Sequence, residues 1–192
     1  DRFFLKKGTR AGLDLMLLSV PYGMTTSYIA MHAKEIGITV GAGLFLTFMA
    51  LGTAISRIFS GRQVDKGHIT KVIMAGMSVV CIFFFVIGFS NQIIAWNHTA
   101  GTIIFFAAAL FLRIGFGTIF PAFNTLFVNL ADHNQRDTAT STYLTSWDVS
   151  IGIGLIGGGY LGQVSTFSTA YLFGACFTVA ALFLFKYRVA PH

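Results

Sequence analysis

From Val72 to Phe89 the chain runs without one charged residue, and nothing else in it limits the possible folds so strongly. An α-helix rises about 1.5 Å per residue, so a run of this length nearly matches the roughly 30 Å hydrocarbon core of a bilayer. Comparable apolar runs recur along the chain. Together they predict six membrane spans, over about 11–32, 39–59, 70–90, 100–130, 139–162 and 167–185. The fourth is longer than a bilayer core, so tilt or protrusion is expected there. The chain is only 10% charged, against roughly 25% for an average soluble domain. A soluble fold of 192 residues could not cover its surface with so few charges. Its 21 glycines suit helices whose backbones approach closely in lipid.

A net charge of +6 would point to nucleic acid in a soluble domain. Here the basic residues sit in short links between apolar runs, so no nucleic-acid partner is expected; the partner is the bilayer. With six crossings, both termini and the turns after spans two and four share one side. Of the 13 Lys and Arg, Lys34 alone falls on the other side, and Arg113 lies within the membrane. The positive-inside rule then places both termini in the cytoplasm. Because the chain begins at Asp1 without an initiator methionine, it is expected to be a segment of something longer.

Enzymatic chemistry finds no support. No Gly-x-x-x-x-Gly-Lys-Ser/Thr loop, His-Glu-x-x-His motif or cysteine–histidine cluster occurs, so no nucleotide, metal or other cofactor is expected. Cys81 and Cys176 both fall inside apolar runs, as buried inert thiols do. A literal Gly-x-Gly-x-x-Gly, at Gly152, Gly154 and Gly157, lies inside an apolar run, whereas a dinucleotide site needs it between a strand and a helix. The spacings Gly154/Gly158 and Gly158/Gly162 predict helix packing instead.

An ionisable group inside a bilayer costs roughly 2.5 to 3.5 kcal/mol on insertion scales, so each one demands a reason. Arg113 sits mid-way along span four, Asp148 well inside span five, and Asp14 about one turn into span one. Asp14 stands four residues after Arg10, the spacing of a helical ion pair, and is otherwise a proton-coupling candidate. Counted along the helices, Arg113 and Asp148 differ in depth by about 12 Å, so no direct contact between them is expected. Both should face a polar interior.

In span one Asp14, Pro21, Thr25, Tyr28 and His32 fall on one helical stripe; in span four Arg113, Gly117, Phe120 and Asn124 do the same, beside Pro121. These stripes read either as walls of a solute path or as helix–helix contacts made by small and polar groups.

The turn region Gly61-Arg62-x-x-Asp65-Lys66-x-His68, after Ser56-Arg57-x-x-Ser60-Gly61, resembles the cytoplasmic signature loop of the major facilitator superfamily, in its weaker second-half copy. Gly115-Phe116-Gly117-x-x-Phe120-Pro121-x-x-Asn124 is similar to the tenth helix of its bacterial efflux-type permeases. Gln135-Arg136-x-x-Ala139-Thr140-x-x-Tyr143 resembles the loop before the eleventh.

The resemblance implies an all-α integral membrane bundle of six transmembrane helices, built as two inverted three-helix repeats. It would be the C-terminal half of a twelve-helix transporter, lacking its N-terminal six helices and set in the bacterial inner membrane. It further implies secondary transport of a small organic solute by alternating access, as proton-coupled efflux. An uptake symporter, a half-transporter acting as a homodimer, or a membrane scaffold or sensor are the alternatives. On this reading Tyr22, Thr25, Tyr28, Arg113, Phe120 and Asn124 are candidate solute contacts, and Asp148 and Asp14 candidates for proton coupling. Arg57, Gly61, Arg62, Asp65 and Lys66 belong to the signature loop, expected to latch the cytoplasmic face without touching solute.

Overall fold

The computed structural model describes residues 5–39 and 42–190, apart from the side chains of 42, 59–63 and 65. A 3-10 turn, Lys6–Gly8, leads into α1 (Thr9–Glu35). Then come α2 (Ala42–Asp65), α3 (Ile69–Gly88), a short α4 (Ser90–Trp96) and α5 (His98–Leu130). A second 3-10 turn precedes α6 (Arg136–Val164) and α7 (Phe167–Leu184), which ends in a π-helical turn, Phe185–Val189. No strand occurs among the described residues.

Local chemistry sets the helix ends. Gly37 and Gly67 stand at φ +81° and +80°, a left-handed conformation that suits glycine, and each closes a helix. The Gly37 N–H donates to the Lys34 carbonyl and the Gly67 N–H to that of Val64. At helix starts, the Asn97 side chain accepts from the Ala100 N–H at 3.0 Å and Thr166 accepts from the Thr169 N–H at 3.2 Å. Ile69–Gly88, His98–Leu130 and Phe167–Val189 are each long and apolar enough to cross a membrane. With the low charge, this makes the chain an integral membrane protein.

α1 packs on α6, and α2 on α5; α3 lies against α5 and α7, and α1 against α7. Exchanging α1, α2 and α3 for α5, α6 and α7 leaves this pattern unchanged. That is the signature of two three-helix repeats, the expected fold class. Two seams are glycine-lined. A Cβ on Gly23 would stand 2.6 Å from the Ile151 carbonyl oxygen across the α1–α6 seam. One on Gly52 would meet the Leu110 carbonyl at 2.6 Å across α2–α5. Gly154 and Gly158 lie against Val20 and Met24, so the glycine ladder packs helices, while Gly152 and Gly157 face open space.

Phe84, Phe116, Phe123 and Tyr171 fill the core between α1, α3, α5 and α7. Most of the polar stripe of α1, at Asp14, Pro21, Thr25 and His32, is also buried. Pro21 lies beside Gly174 of α7. Buried Thr25 donates to the Pro21 carbonyl at 2.8 Å, and the ring Nε2 of buried His32 is 2.9 Å from Ser90 Oγ. The expected Arg10–Asp14 pair does not form. Asp14 is fully buried and neither carboxylate oxygen has a hydrogen-bond partner, whereas Arg10 is exposed. The four-residue spacing brings the two Cα atoms together, but Asp14 projects into the bundle.

Contacts at the two ends of the bundle sort the links. Lys7 Nζ is 3.0 Å from Asp132 Oδ2, and Arg10 and Arg188 border the same recess. The start of the chain, the α5–α6 turn and the end of α7 therefore share one end. At the other, Glu35 accepts from the Phe167 N–H at 3.0 Å, and His98 Nε2 is 3.3 Å from the Gly37 carbonyl.

Candidate functional site

Arg113 is half-buried on α5 and bridges two other helices. Its Nε donates to Thr53 Oγ1 of α2 at 2.8 Å, and its Nη1 to Tyr22 Oη of α1 at 2.6 Å. The guanidinium carbon also lies 5.4 Å from the centre of the Tyr22 ring, within cation–π range. The α2–α5 seam makes this reach possible: the bare Gly52 lets Thr53 come up beside Arg113. No carboxylate pairs with Arg113 among the described residues.

Arg113 borders two cavities. The larger, about 290 Å³, is bordered by Tyr22, Thr26, Met49, Thr53 and Arg113. The smaller, about 180 Å³, adds Arg57, Phe116, Phe120, Pro121 and Trp147 to Tyr22, Thr53 and Arg113. Among the described residues, two arginines and no acidic residue border this pair of cavities.

Aromatic rings form one wall. The Tyr22 ring meets Phe116 at 4.9 Å, Phe120 at 5.0 Å and Trp147 at 5.8 Å, each edge-on. Phe120 and Trp147 are closer, at 3.7 Å, and Phe116 stacks on Phe120 with 11° between planes. Edge-to-face packing fixes such rings without polar partners. Tyr143 steadies the wall from behind, its hydroxyl donating to the Phe120 carbonyl at 3.3 Å. Pro121, lacking an N–H, cannot donate to the carbonyl of residue 117, as the sequence suggested.

Of the residues singled out from sequence, Tyr22, Arg113 and Phe120 come together here. The others lie elsewhere. Thr25 is buried against α7, and Tyr28 donates to the Leu155 carbonyl at 3.0 Å beside a recess with Lys34 and Glu35. Asn124 has a buried side-chain oxygen without a partner. Asp148 is exposed on α6 and borders neither cavity, and Asp14 is sealed in the core.

Arg57, counted with the signature loop, lies within α2, four residues and about one turn beyond Thr53, and borders the smaller cavity. Lys66 is exposed, Gly61 lies in the same helix as Arg57, and the side chains of Arg62 and Asp65 lie outside the described residues. Thr53 and Trp147 were missed. A helical face of Leu46, Met49, Ala50, Thr53 and Arg57 was nevertheless readable in α2.

The sequence matches the Major Facilitator Superfamily over residues 13–192. The chain therefore belongs to that superfamily. It is 27% identical over 150 residues to the cis,cis-muconate transport protein of Acinetobacter baylyi, a match covering 78% of this chain and 33% of that protein. It is 25% identical over 163 residues to the proton-coupled antiporter flippase LtaA of Staphylococcus haemolyticus, covering 81% of this chain and 38% of that one. The chain thus spans little more than a third of the length of these relatives.

Proposed function

We propose that this chain is the C-terminal half of a twelve-helix secondary transporter, which moves a small organic solute across the membrane by alternating access. One observation carries the reading: an arginine within a long apolar helix, held by two neutral hydroxyls, bordering two open cavities and with no acid among the described residues to neutralise it. An ion pair that merely stabilised the bundle would seal such a charge with a carboxylate. Arg113 keeps it facing space. The six further helices would close over Tyr22, Arg113 and Phe120, making a midplane site between two halves that rock about it. Both relatives carry transport in their names, which supports this reading.

Proton-coupled efflux is the reading we favour, with uptake by the same architecture the second. Asp148 and Asp14 remain the carboxylates assigned to coupling, Asp148 because it is accessible and Asp14 because it is sealed and unpaired. Placement is expected in the bacterial inner membrane with both ends of the chain cytoplasmic, as the distribution of basic residues requires.

Solute flux in vesicles of the complete protein, with and without an imposed pH gradient, tests the proposal. Flux should follow the gradient and should fall about tenfold or more in Arg113→Gln, the loss expected for a charged hydrogen bond. Asp148→Asn should retain solute exchange but lose its response to the gradient. Flux indifferent to both the gradient and Asp148 would remove that residue from coupling.

A further inference from the structure

The donors around Arg113 identify the chemistry of the solute, an inference that rests on the transport reading above. Arginine carries five N–H donors. Two of them are used, on Thr53 and Tyr22, and the remaining three have no acceptor among the described residues. The hydroxyls nearby are committed differently. Thr53 donates its own hydrogen to the Met49 carbonyl at 3.0 Å, and Thr26 donates to that of Gly23 at 2.9 Å. Tyr22 accepts from Arg113 and has no acceptor for its own O–H among the described residues. Unused donors therefore converge on the boundary between the two cavities, with the Arg57 side chain at the rim of the smaller one.

Three kinds of solute can be compared. A cation would meet two arginines and, among the described residues, no carboxylate. A neutral amide could take the Tyr22 O–H but would leave the guanidinium uncompensated. An anion satisfies both, because a carboxylate has two oxygens and matches the planar guanidinium in a two-point contact. The adjoining wall of Phe116, Phe120 and Trp147 supplies flat apolar surface within a ring's width of the same Tyr22. We propose that the site takes an organic anion with a flat apolar body, such as an aromatic carboxylate, its charge on Arg113 and Tyr22 and its body against the Phe120–Trp147 wall. Arg57 adds long-range attraction from the cavity rim.

Binding of three probes of one shape to the complete protein in nanodiscs, followed by calorimetry, tests this without requiring transport. The probes are benzoate (anion), benzamide (neutral) and benzylamine (cation). Benzoate should bind about tenfold or more tightly than either of the others. Arg113→Gln should bring benzoate down to the level of benzamide. Tyr22→Phe, which keeps the ring and removes only the hydroxyl, should weaken benzoate about threefold to tenfold and benzamide less, because a hydrogen bond to a charged acceptor is worth more than one to a neutral amide. Should Arg113→Gln fail to fold, the Tyr22→Phe and Arg57→Gln variants give the same reading, each lowering the benzoate preference. Equal or tighter binding of benzamide or benzylamine by the unaltered protein would overturn the assignment, as would a benzoate preference untouched by these substitutions. Benzoate binding without flux of any solute would defeat the transport reading and leave the anion site standing. Flux of a cation with no benzoate binding would do the reverse.

Discussion

A guanidinium within a long apolar helix needs partners, and Arg113 has two of its five donors held by hydroxyls that neighbouring helices bring to it. Lysine cannot replace it. An ammonium is a point charge and lacks the fork that spans Thr53 and Tyr22 together. Arg113→Lys is therefore expected to retain folding but to lose about tenfold or more in solute flux, measured in vesicles against the unaltered protein. Asp14 poses the opposite case, a buried carboxylate with no hydrogen bond. Asp14→Asn should leave the thermal midpoint unchanged or raised, because no ion pair is lost. A loss of more than about 1 kcal/mol would reveal a bonded partner. That both residues interrupt apolar helical runs was legible in the sequence, since charge in an apolar run needs no structure to be noticed. Their surroundings were not. A helical stripe shows which residues share a face but not what that face meets, so Thr25 joined the solute contacts while Thr53 was overlooked. Tyr22 sits one step from the stripe of Pro21 and Thr25, and that 100° turn separates cavity from core.

At the scale of elements, the helices owe their closeness to glycines that differ in what a methyl group would strike. Gly23 faces the backbone of Ile151, which cannot move aside without the whole of α6, whereas Gly158 faces the flexible Met24 side chain. Gly23→Ala should consequently destabilise the protein by about 1–3 kcal/mol. Gly158→Ala should cost less, and Gly152→Ala, which meets nothing, should be neutral or slightly stabilising. Thermal unfolding of the three purified variants orders them; a Gly23→Ala protein as stable as Gly152→Ala would contradict the close seam. Much of this level could be read directly. The ladder Gly154/Gly158 was assigned to packing from spacing alone, and Gly37 and Gly67 fell where helices must stop. The signature-loop resemblance takes in Arg57, which the span over 39–59 already placed in a helix. The helix actually continues to Asp65, since nothing in Ser-Gly-Arg-Gln-Val breaks it.

The whole molecule places its two ends in different company, with Lys7, Asp132 and Arg188 at one and Glu35, His98 and Phe167 at the other. Under the proposed orientation, a cysteine at position 133 should react with an impermeant maleimide only from the cytoplasmic face, and one at position 98 only from outside, in a background without Cys81 and Cys176. Labelling of both from the same side would overturn the topology. The number of long helices was readable from hydropathy; the partner of each was not, because pairing depends on which narrow faces meet. One consequence lies in the pattern of those pairings. Since α1 on α6 and α2 on α5 are counterparts, the bundle contains two matched close seams, each set by a glycine against a carbonyl, at Gly23–Ile151 and Gly52–Leu110. Arg113 stands over the second, while Tyr22 of α1 and Trp147 of α6 flank the first. A ligand held by Arg113, Tyr22 and the Phe120–Trp147 wall would therefore bear on both seams at once, tying the two repeats to one event.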